Sequence, residues 1–378
     1  MKSNKCKLGD IITQRREKNT GENLPICGVT REGFIPPKQK DADTSLYNVF
    51  YKKDFVFNPA RMELNSIVYN NVYEKAICSS LYEVFYVNRP DIVLPEFLAL
   101  IVKQNWFTRY CEFLGSGSAR EYCRVANISQ IEINYPSLEE QRKIVKAYQT
   151  IADRIALKRK INEDLVASLS TVYKELFSDA ETQYSKVPLQ KICTKIGSGA
   201  TPKGGKTAYI DEGISLIRST NVFDFRFEYS DLAHINQTQA DALSSVTVEP
   251  NDVLFNITGV SVARCCMVPD DVLPARVNQH VMIVRPAKGI AMSYYIMFTL
   301  CSASNKAKLL GIGQSGSTRE AINKQELESF EIPIPDDDSL NKFGEIALCA
   351  YKNIQCNVKE IRLLEDMKSV LLAQLSSH

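Results

Sequence analysis

Ser116-Gly117-Ser118-Ala119-Arg120-Glu121 recurs 199 residues later as Ser315-Gly316-Ser317-Thr318-Arg319-Glu320. The same offset, without a gap, then carries Pro136 onto Pro335. A chance match of six residues would not stay in register downstream, and self-similarity at a fixed spacing is the signature of a repeated structural unit. The sequence therefore predicts two copies of one unit.

The repeat also extends upstream. Asp54-Phe55-Val56-Phe57-Asn58 matches Asp252-Val253-Leu254-Phe255-Asn256 at an offset of 198, and Leu8 to Ile11 matches Leu189 to Ile192. A chain of 378 residues exceeds the usual size of one domain, and 44% apolar with 24% charged residues is an ordinary globular composition. We therefore expect two tandem domains that together span nearly the whole chain.

A long helix is predicted after the proline that the two copies share, Pro136 or Pro335. Apolar residues recur with the 4,3 spacing of a coiled-coil seam, eight of ten positions in each copy, at Ile144, Tyr148, Ile151, Ile155, Lys158, Asn162, Leu165, Leu169, Val172 and Leu176, and at Phe343, Ala347, Ala350, Ile354, Asn357, Ile361, Leu364, Lys368, Leu371 and Leu375. Two unrelated surface helices are the alternative. Matched length and register, with polar Lys158 and Asn357 at the same seam position, favour an antiparallel coiled coil between the two.

The segments before the helices differ from them in pattern. Short β-rich runs alternate with Gly, Pro and Asn turns, and one helical stretch, 95–114 or 293–310, precedes each Ser-Gly-Ser loop. We predict an α+β fold with a mostly antiparallel or mixed sheet in each copy. The predicted boundaries are 1–136 and 179–335 for the two β-rich domains and 137–178 and 336–378 for the helices.

Catalytic motifs are incomplete. Asn58-Pro59-Ala60-Arg61 lacks the second proline and the aromatic residue of an amino-methyltransferase loop, and Gly205-Lys206-Thr207 lacks the first glycine of a phosphate-binding loop, which falls at Ala200. Asp336-Asp337-Asp338 suits a helix N-terminus better than a metal site, and only three histidines are present. We expect a protein that is not an enzyme and needs no cofactor or metal of its own.

Charge and cysteine content set wider limits. The 46 basic and 44 acidic residues give a net charge of +2, so only a local basic surface could favour nucleic acid. Eleven cysteines without a C-x-x-C pair indicate reduced thiols in a cytoplasmic protein. The polar first ten residues and the interrupted apolar stretch at 290–301 predict neither a leader nor a membrane span.

The chemistry that remains is that of recognition. A Gly/Ser loop lets its backbone approach a phosphate while Arg120 or Arg319 makes charge-assisted hydrogen bonds, although an ordinary turn is the alternative. Arg and Asn side chains near strand ends can read guanine and adenine edges. The predicted DNA-binding residues are Asn58, Arg61, Ser116, Gly117, Ser118, Arg120, Lys203, Asn256, Thr258, Arg264, Ser315, Gly316, Ser317 and Arg319, and Arg276, Asn278 and Gln279 are further candidates.

Several stretches together resemble the specificity subunit of a type I restriction-modification system. They are the loop Ser315 to Glu320 followed by Ile332-Pro333-Ile334-Pro335, the entry Ile196-Gly197-Ser198-Gly199-Ala200-Thr201-Pro202 leading to Tyr209, and Tyr135-Pro136-Ser137-Leu138-Glu139-Glu140-Gln141-Arg142. The resemblance covers essentially all 378 residues. The second helix departs from it, because Asp338-Ser339-Leu340-Asn341 stands where Glu139 to Arg142 would be expected.

The resemblance implies two target recognition domains that read a bipartite DNA sequence, with the helical pair as the ruler between them. It also implies two methylation subunits, which bind S-adenosylmethionine and methylate adenine, and two ATP-driven restriction subunits. Two other classes stay open: a protein scaffold whose helices serve only oligomerisation, and a specificity module for a stand-alone methyltransferase or a fused nuclease.

Overall fold

The computed structural model describes residues 4–37, 43–115, 122–178, 183–314 and 321–376. The chain divides into two compact units. One consists of residues 1–157 and 361–378, and the other of residues 158–360. Each unit therefore combines one β-rich part with sections of both long helices.

The first unit contains two four-stranded sheets. Its strands are β1 (Asn4–Lys7), β2 (Ile12–Arg15), β3 (Ile26–Val29), β4 (Phe34–Ile35), β5 (Asn48–Tyr51), β6 (Phe55–Phe57), β7 (Ile67–Tyr69), β8 (Lys75–Cys78), β9 (Glu83–Val87) and β10 (Glu132–Tyr135). The order β2-β9-β6-β7 is antiparallel throughout, whereas β4-β3-β8-β5 contains the parallel pair β3 and β8. Strands β1 and β10 form a separate antiparallel pair.

Strand β6 is buried on both faces. Phe55 and Phe57 pack into one apolar cluster with Phe97 and Phe107, and Val56 packs into another with Phe50. A strand covered on both sides needs apolar residues at every position, which explains the continuous Phe-Val-Phe run. Asn58, the residue after β6, is half-buried.

The helices of the first β-rich part are α1 (Pro95–Val102), α2 (Asn105–Gly115) and α3 (Val125–Ile128). The single predicted helix over 95–114 is thus two helices. The carbonyl of Val102 accepts a hydrogen bond from Asn65 Nδ2 at 2.9 Å. This side chain supplies a partner for a carbonyl at the end of α1, where the helical hydrogen-bond ladder stops.

The second unit repeats the topology. Its strands are β11 (Lys186–Pro188), β12 (Cys193–Ser198), β13 (Ile214–Ile217), β14 (Val222–Phe223), β15 (Arg226–Phe227), β16 (Ala233–Ile235), β17 (Thr247–Val248), β18 (Val253–Asn256), β19 (Cys265–Met267), β20 (Ala275–Val277), β21 (Val281–Pro286) and β22 (Glu331–Pro333). The order β12-β21-β18-β19 is antiparallel and β16-β13-β20-β17 contains one parallel pair, as in the first unit. The α+β fold and its internal repeat are confirmed.

The shorter helices of the second unit are α5 (Leu189–Ile192), α6 (Gln237–Ala242), α7 (Gly289–Cys301), α8 (Ala303–Gln314) and α9 (Lys324–Glu328). Residues 292–300 of α7 are all buried. The predicted stretch 293–310 is again broken, because Ser302 ends α7 and its Oγ donates to the Thr299 carbonyl at 2.8 Å. No helix within the described ranges is both long and apolar enough to cross a membrane.

The two long helices are α4 (Leu138–Phe177) and α10 (Asp337–Ser376). In the second unit, Lys158 Nζ donates to Asn357 Oδ1 at 2.8 Å, and the rings of Tyr173 and Phe343 lie 5.7 Å apart. Moving forward along α4 therefore means moving backward along α10. Every predicted seam position of both helices is buried or half-buried, so the antiparallel pairing predicted from the 4,3 spacing is confirmed.

Candidate nucleic-acid interface

One irregular turn follows the central strand in each β-rich part. We call residues 58–66, after β6, the first turn and residues 256–264, after β18, the second turn. Each closes with the same backbone hydrogen bond, Asn58 N to the Ser66 carbonyl at 3.0 Å and Asn256 N to the Arg264 carbonyl at 2.8 Å. The two turns are therefore equivalent at an offset of 198 residues.

Each turn also contacts the residues that follow the Ser-Gly-Ser loop. Cys123 N donates to the Pro59 carbonyl at 3.0 Å, and Ile322 N donates to the Ile257 carbonyl at 2.9 Å. The repeated loops themselves, with Ser116, Gly117, Ser118, Arg120, Ser315, Gly316, Ser317 and Arg319, lie outside the described residues. The fold thus joins the chain just after each predicted loop to its turn.

The two candidates of the first turn have different surroundings. Asn58 is half-buried, and its Oδ1 accepts a hydrogen bond from Ala60 N at 3.1 Å, which caps the 3₁₀ helix Pro59–Leu64. Arg61 is exposed and lines a groove of about 660 Å³. The groove is lined by Val29, Thr30, Arg31, Glu32, Arg61, Glu63, Leu64, Asn65, Ser66, Asn105, Thr108, Arg109 and Glu112. We call it the first groove.

Three structural elements form the walls of the first groove. Arg31 and Glu32 follow β3, Arg61 and Glu63 belong to the first turn, and Arg109 and Glu112 lie one helical turn apart on α2. All six charged side chains are exposed. Of the six, only Arg61 is among the DNA-binding residues predicted from the sequence, because the other five belong to no recognisable local motif.

The first groove has a hydrogen-bonded floor. Asn65, which is buried and adopts a left-handed conformation with φ of 52°, donates from Nδ2 to the Val102 carbonyl at 2.9 Å and to Thr108 Oγ1 at 2.5 Å. Lys103 Nζ donates to the carbonyls of Arg31 at 2.5 Å and Ile67 at 2.9 Å. Burial lowers the pKa of Lys103 to about 8. These bonds connect the Arg31 wall to strand β7.

The second turn contains both a buried and an accessible candidate. Asn256 is fully buried, and its Nδ2 donates to the carbonyls of Ser219 at 2.9 Å and Val222 at 3.1 Å. Thr258 Oγ1 lies 2.7 Å from His280 Nδ1, and the backbone of Thr258 bridges Ala321, next to the second loop. The structure therefore places Thr258 beside Ala321, the first described residue after that loop, whereas the buried Asn256 side chain holds the neighbouring backbone.

The arginine of the second turn is stacked. The guanidinium of Arg264 lies 4.8 Å from the ring centroid of Phe223, and Arg226 lies at the same distance from that ring. A planar guanidinium over an aromatic face is held by cation–π attraction and keeps its N–H donors at the rim. Val260, 97% exposed, marks the tip of the turn.

The remaining candidates lie away from the second turn or hold the backbone. Lys203 is exposed, and its backbone N and carbonyl bond the amide of Gln239 at 3.2 and 3.0 Å. Arg276 is buried and donates to the Ala240 carbonyl at 3.0 Å. Asn278 Oδ1 accepts from His280 N at 3.0 Å, and the Gln279 amide lies 2.9 Å from His280 Nε2.

A buried aspartate begins the central strand of each copy. Asp54 accepts from Arg15 Nε at 2.6 Å, and Asp252 accepts from Arg285 Nε at 2.7 Å. Burial raises the pKa of Asp252, and the Arg285 guanidinium opposes that shift. The two arginines come from different strands, β2 and β21, so the copies keep the aspartate and supply its partner differently.

These features define a class of protein: a duplicated α+β protein in which two equivalent turns carry different side chains and two long helices pair antiparallel. Residues 5–167 match the family model of the type I restriction modification DNA specificity domain. That range covers the first copy and most of α4, and the internal repeat relates the second copy to it. The first copy therefore resembles the DNA specificity domain of type I restriction-modification systems.

Two relatives and one solved structure are similar to the chain. The chain is 24% identical over 305 residues to the type I restriction enzyme MjaIX specificity subunit of Methanocaldococcus jannaschii, covering 75% of this chain and 69% of that protein. It is 25% identical over 191 residues to the HindI specificity subunit of Haemophilus influenzae, covering 47% of this chain and 41% of that one. A type I restriction-modification S subunit from M. genitalium shares the fold with a TM-score of 0.60 at 14% identity, covering 99% of this chain and 96% of that one.

Proposed function

We propose that this chain is the DNA sequence-recognition subunit of a type I restriction-modification complex and reads a bipartite target. Residues 1–136 and 179–335 act as target recognition domains, one for each half of the target. Residues 137–178 and 336–378 act as the spacer that sets the gap. The chain supplies sequence selection in the cytoplasm and has no catalytic residues or cofactor of its own.

The observation that supports this proposal most directly is the equivalence of the two turns. Their backbones share the closing hydrogen bond and the bond to the chain after the Ser-Gly-Ser loop, yet Arg61 corresponds to Gly259 and Ser66 corresponds to Arg264 at the common offset of 198. Backbone contacts to phosphate position a protein on DNA, whereas side chains at base edges select the sequence. A turn backbone that the two copies share, with different side chains on each copy, suits the recognition of two different short DNA sequences.

The seam of the helical pair supports the spacer role. Asn357 Nδ2 donates to Asn162 Oδ1 at 2.8 Å, and Lys158 Nζ contacts Asn357 Oδ1 at 2.8 Å and Glu360 Oε2 at 2.9 Å. A polar layer in an apolar seam disfavours slipped registers, because a slip would bury these groups without partners. A fixed register is what a ruler requires.

We further propose that the helices dock two methylation subunits, and that the complex recruits two restriction subunits. Leu363, Met367 and Val370 follow one another at spacings of four and three on α10 and are 65%, 56% and 58% exposed. An apolar stripe of this kind on a helix indicates a surface for another protein. The same stripe would also serve an oligomerising scaffold without DNA specificity, which is the alternative function.

Co-expression with the neighbouring methylation subunit, followed by single-molecule mapping of N6-methyladenine, tests the proposal. We expect a bipartite motif with a fixed gap, and we expect exchange of residues 185–335 to change one half only. An assembled and folded complex that methylates no defined motif and shows no salt-dependent DNA binding would favour the scaffold instead. If the motif appears and no restriction subunit co-purifies when all the neighbouring genes are co-expressed, the chain serves a stand-alone methyltransferase.

A further inference from the structure

We infer that the first groove recognises a G·C base pair by its major-groove edge, with an arginine on guanine and a glutamate on cytosine. The inference rests on the proposed function, which makes residues 1–136 a reader of one half-site. It goes further in naming the base pair and the side chains that select it. Five of the six charged side chains, all except Arg61, have no assigned role.

The composition of the groove is the first argument. Each of the three walls contributes one arginine and one glutamate: Arg31 with Glu32, Arg61 with Glu63, and Arg109 with Glu112. Their formal charges cancel, so the groove offers no net attraction to phosphate. Sites that bind the DNA backbone carry an excess of Lys and Arg. This balance of fork-shaped donors and carboxylate acceptors suits a partner that offers both acceptors and donors.

The hydrogen-bonding pattern of base pairs identifies that partner. Guanine presents O6 and N7 as acceptors in the major groove, and the cytosine opposite presents its N4 amino group as a donor. A guanidinium can bond both guanine atoms at once, and a carboxylate can accept from the cytosine amine. An A·T pair presents a mixed edge on adenine that amide side chains match better.

The charged groups are available for such contacts. Within the described residues, Arg31, Arg61 and Arg109 form no salt bridge to a carboxylate, and all three are exposed. The positions of the walls are nevertheless fixed, since Lys103 Nζ bonds the Arg31 carbonyl and Asn65 Nδ2 bonds Thr108 Oγ1 of α2. Unpaired side chains on a fixed frame lose little interaction within the protein when they bind.

A small-molecule site fits the lining less well. Pockets for small ligands are lined mainly by apolar and aromatic side chains. Here six of thirteen lining residues are charged, and Val29 and Leu64 are the apolar ones. The groove also adjoins the turn whose Pro59 carbonyl bonds Cys123 N, just after the first Ser-Gly-Ser loop.

The test uses the intact complex with its methylation subunits. The groove variants are Arg31→Ala, Arg61→Ala, Arg109→Ala, Glu63→Gln and Glu112→Gln, made one at a time. Arg89→Ala and Glu132→Gln are the controls, since both residues are exposed in the same unit and lie outside the groove. N6-methyladenine mapping measures the preference at every position of the motif, and thermal unfolding verifies that each variant folds.

We expect at least one arginine variant and one glutamate variant to relax the same G·C position of the half-site read by residues 1–136. A lost bidentate contact should lower discrimination there about 10- to 100-fold. The other half of the motif and both controls should be unchanged. Arg61→Lys, if Arg61 is the reader, should keep overall binding but lose this discrimination, because an ammonium lacks the fork.

Three results overturn the inference while leaving the proposed function intact. They are a bipartite motif without a G·C pair in that half, a motif unchanged by every groove variant, and a uniform loss of binding at all sequences with a shallower salt dependence, which would indicate phosphate contacts. Absence of a bipartite motif in the assembled wild-type complex overturns the proposed function and, with it, this inference.

Discussion

Asn256→Ala separates a base-reading role from a supporting role at the second turn. The Asn256 side chain is fully buried, and its Nδ2 donates to two backbone carbonyls, those of Ser219 and Val222. A buried hydrogen bond contributes about 1 kcal/mol net, and a buried carbonyl left without a donor costs about 1–3 kcal/mol. With partial relaxation, we expect the substitution to destabilise the second unit by about 2–4 kcal/mol.

The chain supplies a matched control at the equivalent position. Asn58 is half-buried, and its side chain accepts a single hydrogen bond, from Ala60 N. Asn58→Ala should cost about 0.5–2 kcal/mol, the range for losing a helix cap. The contrast between the two variants therefore measures the buried contacts of Asn256 rather than the general effect of removing an asparagine.

Hydrogen exchange of the amides in residues 219–222 and 256–264 reports the local cost, because global unfolding of a two-unit chain is not a two-state process. Methylation mapping of the same variant reports base preference. We expect faster exchange of these amides, less methylation by the complex and an unchanged methylation motif. A variant with wild-type exchange rates and an altered base preference at one position of the motif would contradict the supporting role and show that Asn256 contacts a base directly.

Three further outcomes follow from buried polar groups. Asp252→Ala should destabilise the second unit by about 1.5–3 kcal/mol, since it removes the buried carboxylate beside Arg285 and leaves the guanidinium only the exposed Glu249 as an ionic partner. Asp252→Leu with Arg285→Met should cost less, and calorimetry that ranks the two variants in the opposite order would contradict this. The folded-state pKa of Lys103, about 8, lies below its ordinary value of 10.5, so the unfolded chain binds the proton more tightly and the free energy of unfolding should rise above about pH 8. Urea unfolding at neutral and alkaline pH should show that rise in the wild type and not in Lys103→Met. Replacing Lys158, Asn162 and Asn357 together by Leu should leave the free energy of unfolding unchanged or raise it by about 1–4 kcal/mol, and a clear loss would show that the polar layer stabilises as well as specifies the seam.

Both the duplicated architecture and the helical pairing could be predicted from the sequence alone. The 199-residue offset and the 4,3 seam are properties of spacing, and spacing is written directly in the chain. Every seam position is buried or half-buried, and Lys158 contacts Asn357, which confirms what that spacing predicted. The α+β class followed for the same reason, since strand and helix periodicities differ.

Which of the candidate side chains are accessible depends on the tertiary fold and could not be predicted from the sequence. Asn256 matches Asn58 at the offset of 198, yet Asn256 is fully buried and Asn58 is half-buried. The first groove combines Arg31, Arg61 and Arg109 from three elements that are distant in the sequence and share no motif. Convergence of this kind depends on long-range packing of sheets and helices, which local spacing does not encode.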